Sequence, residues 1–287
     1  MAIIQLSDRA TIRVAGPDAE HFLQNILTVD LDRLEPGTVK PGALLTPQGK
    51  ILFDFLVSRD GQDAFVLECR ADIADDFVRR LTMYKLRAKA EISKQDQSFV
   101  VLRWDADSSG SETDSTSSWL KDIRFPEAVH VERSYDSQAR PDAEAVEWAR
   151  LRIAHGIAES DSDYALSDAF PHDVLLDELD GVGFRNGCYV GQEVVSRMQH
   201  RGTARRRVMI VDAQDPLPAP GTDIKANGRS IGTLGSVEGT RGLAIVRTDR
   251  VGSALEDGLQ ILADEVALSL SVPEWAKYTL PQTDAED

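Results

Sequence analysis

From Arg205 to the C-terminus, short apolar runs alternate with turns that contain glycine or proline. The runs lie at 208–211, 223–226, 230–237 and 243–247. Short strands between closely spaced turns are typical of a small antiparallel β-barrel. We therefore predict a barrel over 205–272, followed by an acidic tail over 273–287 that frays because little in it can pack.

The preceding two thirds of the chain mixes strand and helix patterns, which predicts an α+β region over 1–104 and 119–204. Predicted strands lie at 3–6, 11–15, 51–57, 88–93 and 98–104. One predicted helix begins near Pro17, and three others cover 72–86, 143–153 and 191–199. Residues 42–50 read as a loop because they contain Pro47 and Gly49. Residues 105–118 are rich in Ser, Asp and Thr, and we expect a mobile surface loop there.

The composition and net charge of the chain argue against several classes of protein. The chain has 287 residues and a formal net charge of -16, so it should repel nucleic acid. It contains no apolar run of 18 residues, and its first residues lack the pattern of a secretory signal, so we expect no membrane or secreted form. Two cysteines in so long a chain do not form a disulfide scaffold. A reducing compartment fits this count, and we predict a cytoplasmic protein.

Glycines flank Cys188 in the segment 187–193, which reads Gly-Cys-Tyr-Val-Gly-Gln-Glu. Gln192 and Glu193 indicate a helix start, and a thiol just ahead of one feels backbone N–H groups and the helix dipole, which lower its pKa. Glycine allows a tight turn or a ligand's close approach to the backbone. Cys188 is therefore the first candidate for chemistry. The alternative is a small buried residue without reactivity.

Basic residues concentrate after this segment, although the chain as a whole is acidic: they are Arg197, His200, Arg201, Arg205, Arg206 and Arg207. Arg197 and Arg201 share a helix face if the helix extends that far. These residues either bind an anionic ligand, such as a phosphate or a carboxylate tail, or pair with acids of the protein itself.

Asp54 stands between two phenylalanines in the predicted strand 51–57. It either points to solvent or is buried, and in the second case it could bond a ligand N–H group or transfer a proton. The five histidines form no pair with metal-ligand spacing, so we predict no metal site. A nucleophilic pair of Cys188 with His172 or His200 stays open.

Residues 184–193 resemble the Lys-Gly-Cys-[Tyr/Phe]-x-Gly-Gln-Glu signature of the YgfZ-type folate-binding proteins. That family is related to the glycine cleavage T-protein, an aminomethyltransferase, and includes an iron–sulfur cluster assembly factor. Arg197 and the Arg201-Gly202 pair also match. Residues 12–24 resemble the opening strand and helix of the superfamily, and residues 44–52 resemble its substrate-cleft segment, so the likeness covers most of the chain.

The resemblance implies a T-protein-like fold around a central folate cleft, with a C-terminal antiparallel β-barrel. It implies tetrahydrofolate, with or without a polyglutamyl tail, as ligand, and the iron–sulfur assembly machinery or its client enzymes as partners. Cys188 matches the family's functional cysteine, and Asp54 falls near the folate-facing aspartate of the T-protein. The ligand-binding residues implied with them are Tyr189, Gln192, Glu193, Arg197 and Arg201.

Two positions depart from the family pattern. Asn186 replaces the lysine before the Gly-Cys pair, and Ala154 replaces the glutamate that holds the pterin in the T-protein. Three hypotheses follow: a folate-binding accessory protein for iron–sulfur cluster assembly or repair, a folate-dependent one-carbon transferase, and a scaffold with Cys188 buried. The loss of the glutamate favours the first over the second.

Overall fold

The computed structural model describes residues 1–96, 99–105, 118–136, 139–184 and 188–281. The chain forms two compact units, the first comprising Met1–Ala145 and Leu179–Gln192, and the second Val146–Glu178 and Glu193–Asp287. The loop predicted over 105–118 lies outside the described residues except at its two ends. Within the described ranges, no helix has the length and apolar character needed to cross a membrane.

The first unit is a sheet with two helices. Its elements are β1 (Ala2–Leu6), β2 (Arg9–Ala15), α1 (Ala19–Gln24), β3 (Thr38–Leu45), β4 (Ile51–Arg59), β5 (Ala64–Arg70), α2 (Ala74–Lys85), β6 (Glu91–Lys94), β7 (Val100–Asp105), β8 (Leu120–Asp122) and β9 (His130–Ser134). Among the described residues the strand order is β1-β7-β9-β8-β3-β4-β5-β2-β6. Neighbours run antiparallel apart from β3 and β8, which are parallel.

Successive side chains of β4 point alternately into the core of this unit and away from it. Phe53 and Phe55 both stack on Phe77 of α2, with ring centroids 4.8 Å and 5.6 Å apart. Each buried ring contributes about 1.5–3 kcal/mol of hydrophobic stabilisation. Successive side chains of a strand point to opposite faces, so Asp54 lies on the face away from α2.

The prediction of a loop over 42–50 is wrong at its start, because residues 42–45 belong to β3. A Cβ atom at Gly42 would lie 2.8 Å from the Phe55 ring and 2.9 Å from Cγ1 of Val29. Glycine here permits a close approach of chain segments within a strand and is not a sign of a turn. That reason is tertiary, so the local pattern could not reveal it.

A network of five charged side chains fills the space between β5 and β9. Arg133 donates to Glu68 over 2.6 Å and to Asp122 over 2.8 Å, and both pairs are fully buried. Arg9 also bonds Glu68, and Arg124 bonds Asp122. Burial opposes ionisation of the two carboxyl groups, but the arginines hold the pKa of each below its usual range. Since β5 and β9 are not adjacent in the sheet, these bonds show that the sheet curls over itself.

Replacing Arg133 with methionine should lower the free energy of unfolding by about 3–5 kcal/mol, because two buried carboxylates lose a shared partner. The exposed pair of Arg241 with Asp212 gives a matched control, and Arg241→Met should cost less than about 1 kcal/mol. Urea unfolding of both variants measures the difference. Equal losses would contradict a structural role for the network.

The second unit carries the remaining elements: α3 (Ala145–His155), α4 (Gln192–Arg201), β10 (Arg206–Ala213), β11 (Asp223–Ala226), β12 (Arg229–Glu238), β13 (Arg241–Arg247), α5 (Thr248–Glu256), β14 (Ile261–Ala263) and β15 (Val266–Ser271). Among the described residues, β10-β13-β12-β11-β14-β15 close into an antiparallel barrel. The predicted fold class, α+β with a C-terminal barrel, is confirmed. The sequence patterns missed α5, β14 and β15.

The chain after the barrel is ordered further than expected. The indole N–H of Trp275 donates to the carbonyl of His155 over 2.6 Å, and the Tyr278 hydroxyl donates to the carbonyl of Val208 over 2.6 Å. Leu280 packs against the barrel core. The fraying predicted for 273–287 therefore does not extend to 273–281, and residues 282–287 lie outside the described part.

Asp173 is a buried acid near the start of the barrel. Burial raises the pKa of its carboxyl group to about 6, although the Phe170 N–H bond and the charges of Arg206 and Arg207 act in the opposite direction. A folded-state pKa above the unfolded value of 3.8 means that the protonated form stabilises the fold. This contribution is fully present below pH 3.8 and is lost as the pH rises through about 6.

Asp173→Asn should therefore gain stability relative to the natural chain as the pH rises. A shift of about two pKa units corresponds to about 3 kcal/mol, which should separate the two proteins at pH 8 more than at pH 4. Denaturant unfolding across this range measures the difference, and subtracting the two curves cancels groups that both proteins share. A difference independent of pH would refute the raised pKa.

Candidate functional site

The cysteine segment rests on the turn that joins β3 to β4. Gly191 has a φ of 83°, in the left-handed region that favours glycine. A Cβ atom there would lie 2.7 Å from the carbonyl oxygen of Thr46 and 2.9 Å from Cα of Gly49. Glycine is therefore required at position 191 for two reasons. Its φ is positive, and a side chain would collide with the hairpin turn.

Thr28 joins the start of the same segment to the same hairpin. Its hydroxyl donates to the carbonyl of Gly181 over 2.7 Å and accepts the N–H of Ala43 over 2.9 Å. Its backbone accepts the N–H of Gly183 over 2.6 Å and donates to Ala43 over 2.9 Å. Thr28 is only 1% exposed. One end of the segment is therefore attached through Thr28, which bonds Gly181, Gly183 and Ala43 of β3, and the other end contacts the 46–49 turn through Gly191.

Asp54 lies on this hairpin. It is half-buried and stands opposite Ala43 in the register of β3 and β4. Asp54 is the third residue after Ile51, which begins β4, and so lies about 10 Å along the strand from it. The structure thus places Asp54 on the hairpin whose turn Gly191 of the cysteine segment contacts, which sequence spacing alone did not show.

The two thiols have opposite environments. Cys188 is exposed, whereas Cys69 is fully buried in β5, and burial raises the pKa of Cys69 to about 12. The interpretation of Cys188 as a buried core residue is therefore wrong. Its expected activation by a helix dipole stays a prediction, and α4 begins at Gln192, as the sequence indicated.

Tyr189 follows the cysteine and is 5% exposed. Its hydroxyl has no hydrogen-bond partner among the described residues, and burial raises the pKa of the phenol. The backbone carbonyl of Tyr189 accepts the N–H of Gln192 over 3.2 Å, which links the segment to the first residue of α4. A buried hydroxyl that lacks a partner is costly, so this position suits a ligand that supplies one.

Some of the clustered basic residues that follow the cysteine segment form ion pairs with acids of the second unit. Arg207 is buried and bonds Asp177 over 2.7 Å, and Arg206 lies 3.4 Å from Asp168. These two arginines support the interpretation that the basic residues pair with the protein's own acids. Neither is a strong candidate for binding a ligand.

The rest of α4 carries the other predicted ligand-binding residues. The helix extends to Arg201, so Arg197 and Arg201 share a face as expected. Arg197 lies 3.7 Å from Glu193, and both side chains are exposed, so this pair contributes little. Arg201 is exposed and has no ion pair among the described residues, as is also true of His200 and Arg205. Arg201 is thus the better candidate for an anionic ligand.

His172 is fully buried in the second unit. Its Nε2 atom lies 3.1 Å from Oε1 of Gln199 and 4.0 Å from Asp177. Burial lowers the pKa of the imidazole, so the ring is held neutral. These contacts give His172 a packing role within its own unit. The proposed pairing of Cys188 with His172 or His200 stays a prediction.

Comparison with known proteins supports the architecture. Residues 1–103 match the family described as the GCVT N-terminal domain, and residues 205–278 match the CAF17 C-terminal beta-barrel domain. The glycine cleavage system aminomethyltransferase T of Bartonella henselae has the same fold, with a TM-score of 0.67 at 18% identity, over 96% of this chain and 86% of that one. The chain therefore has a T-protein-like fold that ends in a barrel of the CAF17 type.

Among curated proteins, the chain is similar to the mitochondrial iron-sulfur cluster assembly factor IBA57 of Mus musculus. The two are 28% identical over 94% of this chain and 84% of the mouse protein. The mitochondrial IBA57 homolog of Chaetomium globosum is 32% identical over 72% of this chain and 55% of its own length.

These relatives correct the predicted location. Both are named as mitochondrial proteins, so the expectation of a cytoplasmic protein is wrong. The cysteine count favours a reducing compartment, but it does not distinguish one reducing compartment from another.

Thr28→Val should destabilise the first unit by about 2 kcal/mol. Valine keeps the volume but leaves the Gly181 carbonyl and the Ala43 N–H without a partner. The Thr38 hydroxyl bonds only the exposed carbonyl of Glu35, so Thr38→Val is a matched control with a loss below about 0.5 kcal/mol. Chemical unfolding measures the stability of both variants, and an unchanged stability of Thr28→Val would contradict a structural role for these two hydrogen bonds.

Thiol labelling of the native protein should show one rapid phase, from Cys188, and a second thiol that reacts only on unfolding, from Cys69. Dithionitrobenzoate absorbance measures both phases. Cys188→Ser should remove the rapid phase alone. Two rapid thiols, or none, would contradict the described burial.

Proposed function

We propose that the chain is an accessory protein in iron–sulfur cluster assembly or repair, of the YgfZ-related type, and that Cys188 provides a thiolate to a cluster. The observation that carries the proposal is the contrast between the exposed Cys188 and the buried, high-pKa Cys69. The names of the mouse and fungal relatives support it. So do the contacts of Thr28 with Gly181 and of Gly191 with the 46–49 turn, on either side of Cys188.

The number of thiols defines how Cys188 would act. Iron–sulfur clusters are held by several ligands, commonly four cysteine thiolates. The chain has one exposed thiol, so Cys188 would supply one ligand and a partner protein the others. On binding iron, the thiol releases its proton. The contacts of Gly191 and Thr28 would hold the segment at a constant position while the partner approaches.

We further propose tetrahydrofolate as a ligand, with Asp54 and Tyr189 of the first unit as contacts for the pterin. The buried Tyr189 hydroxyl without a partner fits a group that offers hydrogen bonds. Asp54 provides a half-buried carboxylate on the same hairpin. Bound tetrahydrofolate would supply a one-carbon carrier, while these residues orient it.

Transferase activity is the weaker alternative. At the position of the T-protein glutamate, α3 carries Ala154, which has no group to hold a pterin. Its neighbour Arg152 is buried and bonds Asp163 over 3.0 Å, which is a packing role inside the second unit. An accessory role for the folate-binding fold agrees better with these residues.

The cluster proposal is tested in cells that lack the natural chain. Cys188→Ser should fail to restore the activity of iron–sulfur enzymes under oxidative stress, because one cluster ligand is gone. Cys69→Ala is the matched control, and it should restore activity, since Cys69 is buried. Full rescue by Cys188→Ser would remove the thiol from the function.

Calorimetric titration with tetrahydrofolate tests the ligand. Tyr189→Phe and Asp54→Asn should each weaken binding by about tenfold, the loss expected for one hydrogen bond to a charged or buried group. Asp63→Asn, at an exposed site beyond β4, should bind as the natural chain does. No heat, together with no competition by folinic acid, would refute folate binding.

A further inference from the structure

The chain makes a strained turn directly after α2. Leu86 has φ 48° and ψ -106°, and the N–H of Ala88 donates to the carbonyl of Lys85 over 2.9 Å. This places Leu86 at the second position of a type II′ turn, where glycine is strongly favoured. A leucine in this conformation costs on the order of 1–3 kcal/mol.

Both sides of the turn are anchored, so the strain cannot relax locally. On one side, Leu81 of α2 is fully buried in the core of the first unit. On the other, the backbone N–H of Lys89 donates to the carboxylate of Asp18 over 2.7 Å. Strained residues persist where the surroundings determine the backbone, and such positions concentrate at functional sites.

The strained leucine is also one of the most exposed apolar residues of the described chain. Leu86 is 86% exposed, and Met83, one turn earlier on α2, is 66% exposed. The Leu86 side chain therefore gains almost no burial in return for its backbone strain. Within the described structure, folding alone gives no reason for a leucine at this position.

Positive charge surrounds these two side chains. Residues 79–90 contain five basic residues and no acid, in a chain of net charge -16. The basic residues are Arg79, Arg80, Lys85, Arg87 and Lys89. Arg79 pairs with Asp76, and the other four have no ion pair among the described residues.

We propose that this region is a docking surface for a partner protein that presents an apolar pocket bordered by carboxylates. Leu86 and Met83 would enter the pocket, and Lys85, Arg87 and Lys89 would face the carboxylates. We call these five residues the Leu86 surface. The proposal goes beyond the cluster-assembly role and does not use Cys188.

Two observations favour a protein partner over an anionic membrane. A chain of net charge -16 is repelled by an extended negative surface, whereas a compact acidic patch on a protein meets only the local positive charge. The anchored turn also holds Leu86 in one conformation, which reduces the entropy lost on docking into a shaped pocket. Insertion into lipid needs no such rigid geometry.

The test uses the full chain and a fluorescent helical-hairpin peptide whose two helices form a leucine-lined groove with glutamates along its edges. We expect binding that weakens as salt rises. Leu86→Gly should weaken binding by about tenfold or more, as for a hot-spot side chain. It should also raise the melting temperature, because glycine relieves the turn. A loss of binding with a gain of stability rules out misfolding as the cause.

Two double variants that reverse positive charges test the electrostatic part of the proposal. Arg87→Glu with Lys89→Glu should abolish peptide binding, whereas Lys225→Glu with Arg229→Glu, an exposed pair on the barrel, should leave it unchanged. The proposal is overturned if the peptide does not bind, or if Leu86→Gly binds as well as the natural chain. It is also overturned if vesicles of phosphatidylglycerol and phosphatidylcholine bind the Leu86 surface more tightly than the peptide does.

Discussion

The hydroxyl group of Thr28 is the contact on which the candidate site depends. One oxygen donates to Gly181 and accepts from Ala43, and so it joins the approach to the cysteine segment with the middle of β3. Residues 181 and 28 are far apart in the chain, and closing that separation costs entropy that buried, fully satisfied hydrogen bonds help to offset. Gly191 adds the second attachment at the 46–49 turn. Without both contacts, Cys188 would stand on an unsupported loop.

The hairpin can serve as this support because side chains pack on both faces of the sheet of the first unit. Phe53 and Phe55 pack on Phe77 on one face. On the other face, Arg133 ties β9 to Glu68 of β5 through fully buried ion pairs. Buried ion pairs are poor sources of net stability, but they penalise any alternative arrangement strongly. The network therefore sets how the sheet curls, and the sheet in turn holds β3 and β4.

Local sequence patterns predicted the elements that are determined by residues close together in the chain. Four of the six described barrel strands, β10 to β13, were predicted because turns rich in glycine and proline separate them, and the start of α4 was predicted near Gln192. Features with tertiary causes were missed: Gly42 read as a loop residue until its contact with Phe55 was known. Thr28 belongs to no motif, since its role comes from Gly181 and Ala43, which only the fold brings near it. The cysteine motif was found by resemblance, but its attachment to the hairpin was not.

The most direct test of this arrangement is amide hydrogen exchange at Gly183 and Ala43, whose N–H groups bond the Thr28 carbonyl and hydroxyl. We expect both amides to exchange only through global unfolding of the first unit, with protection equal to that of the β4 and β5 amides. In Thr28→Val, the Ala43 amide should exchange through local opening. Rapid exchange of Gly183 in the natural chain would contradict the account, because the cysteine segment would then be free of the hairpin.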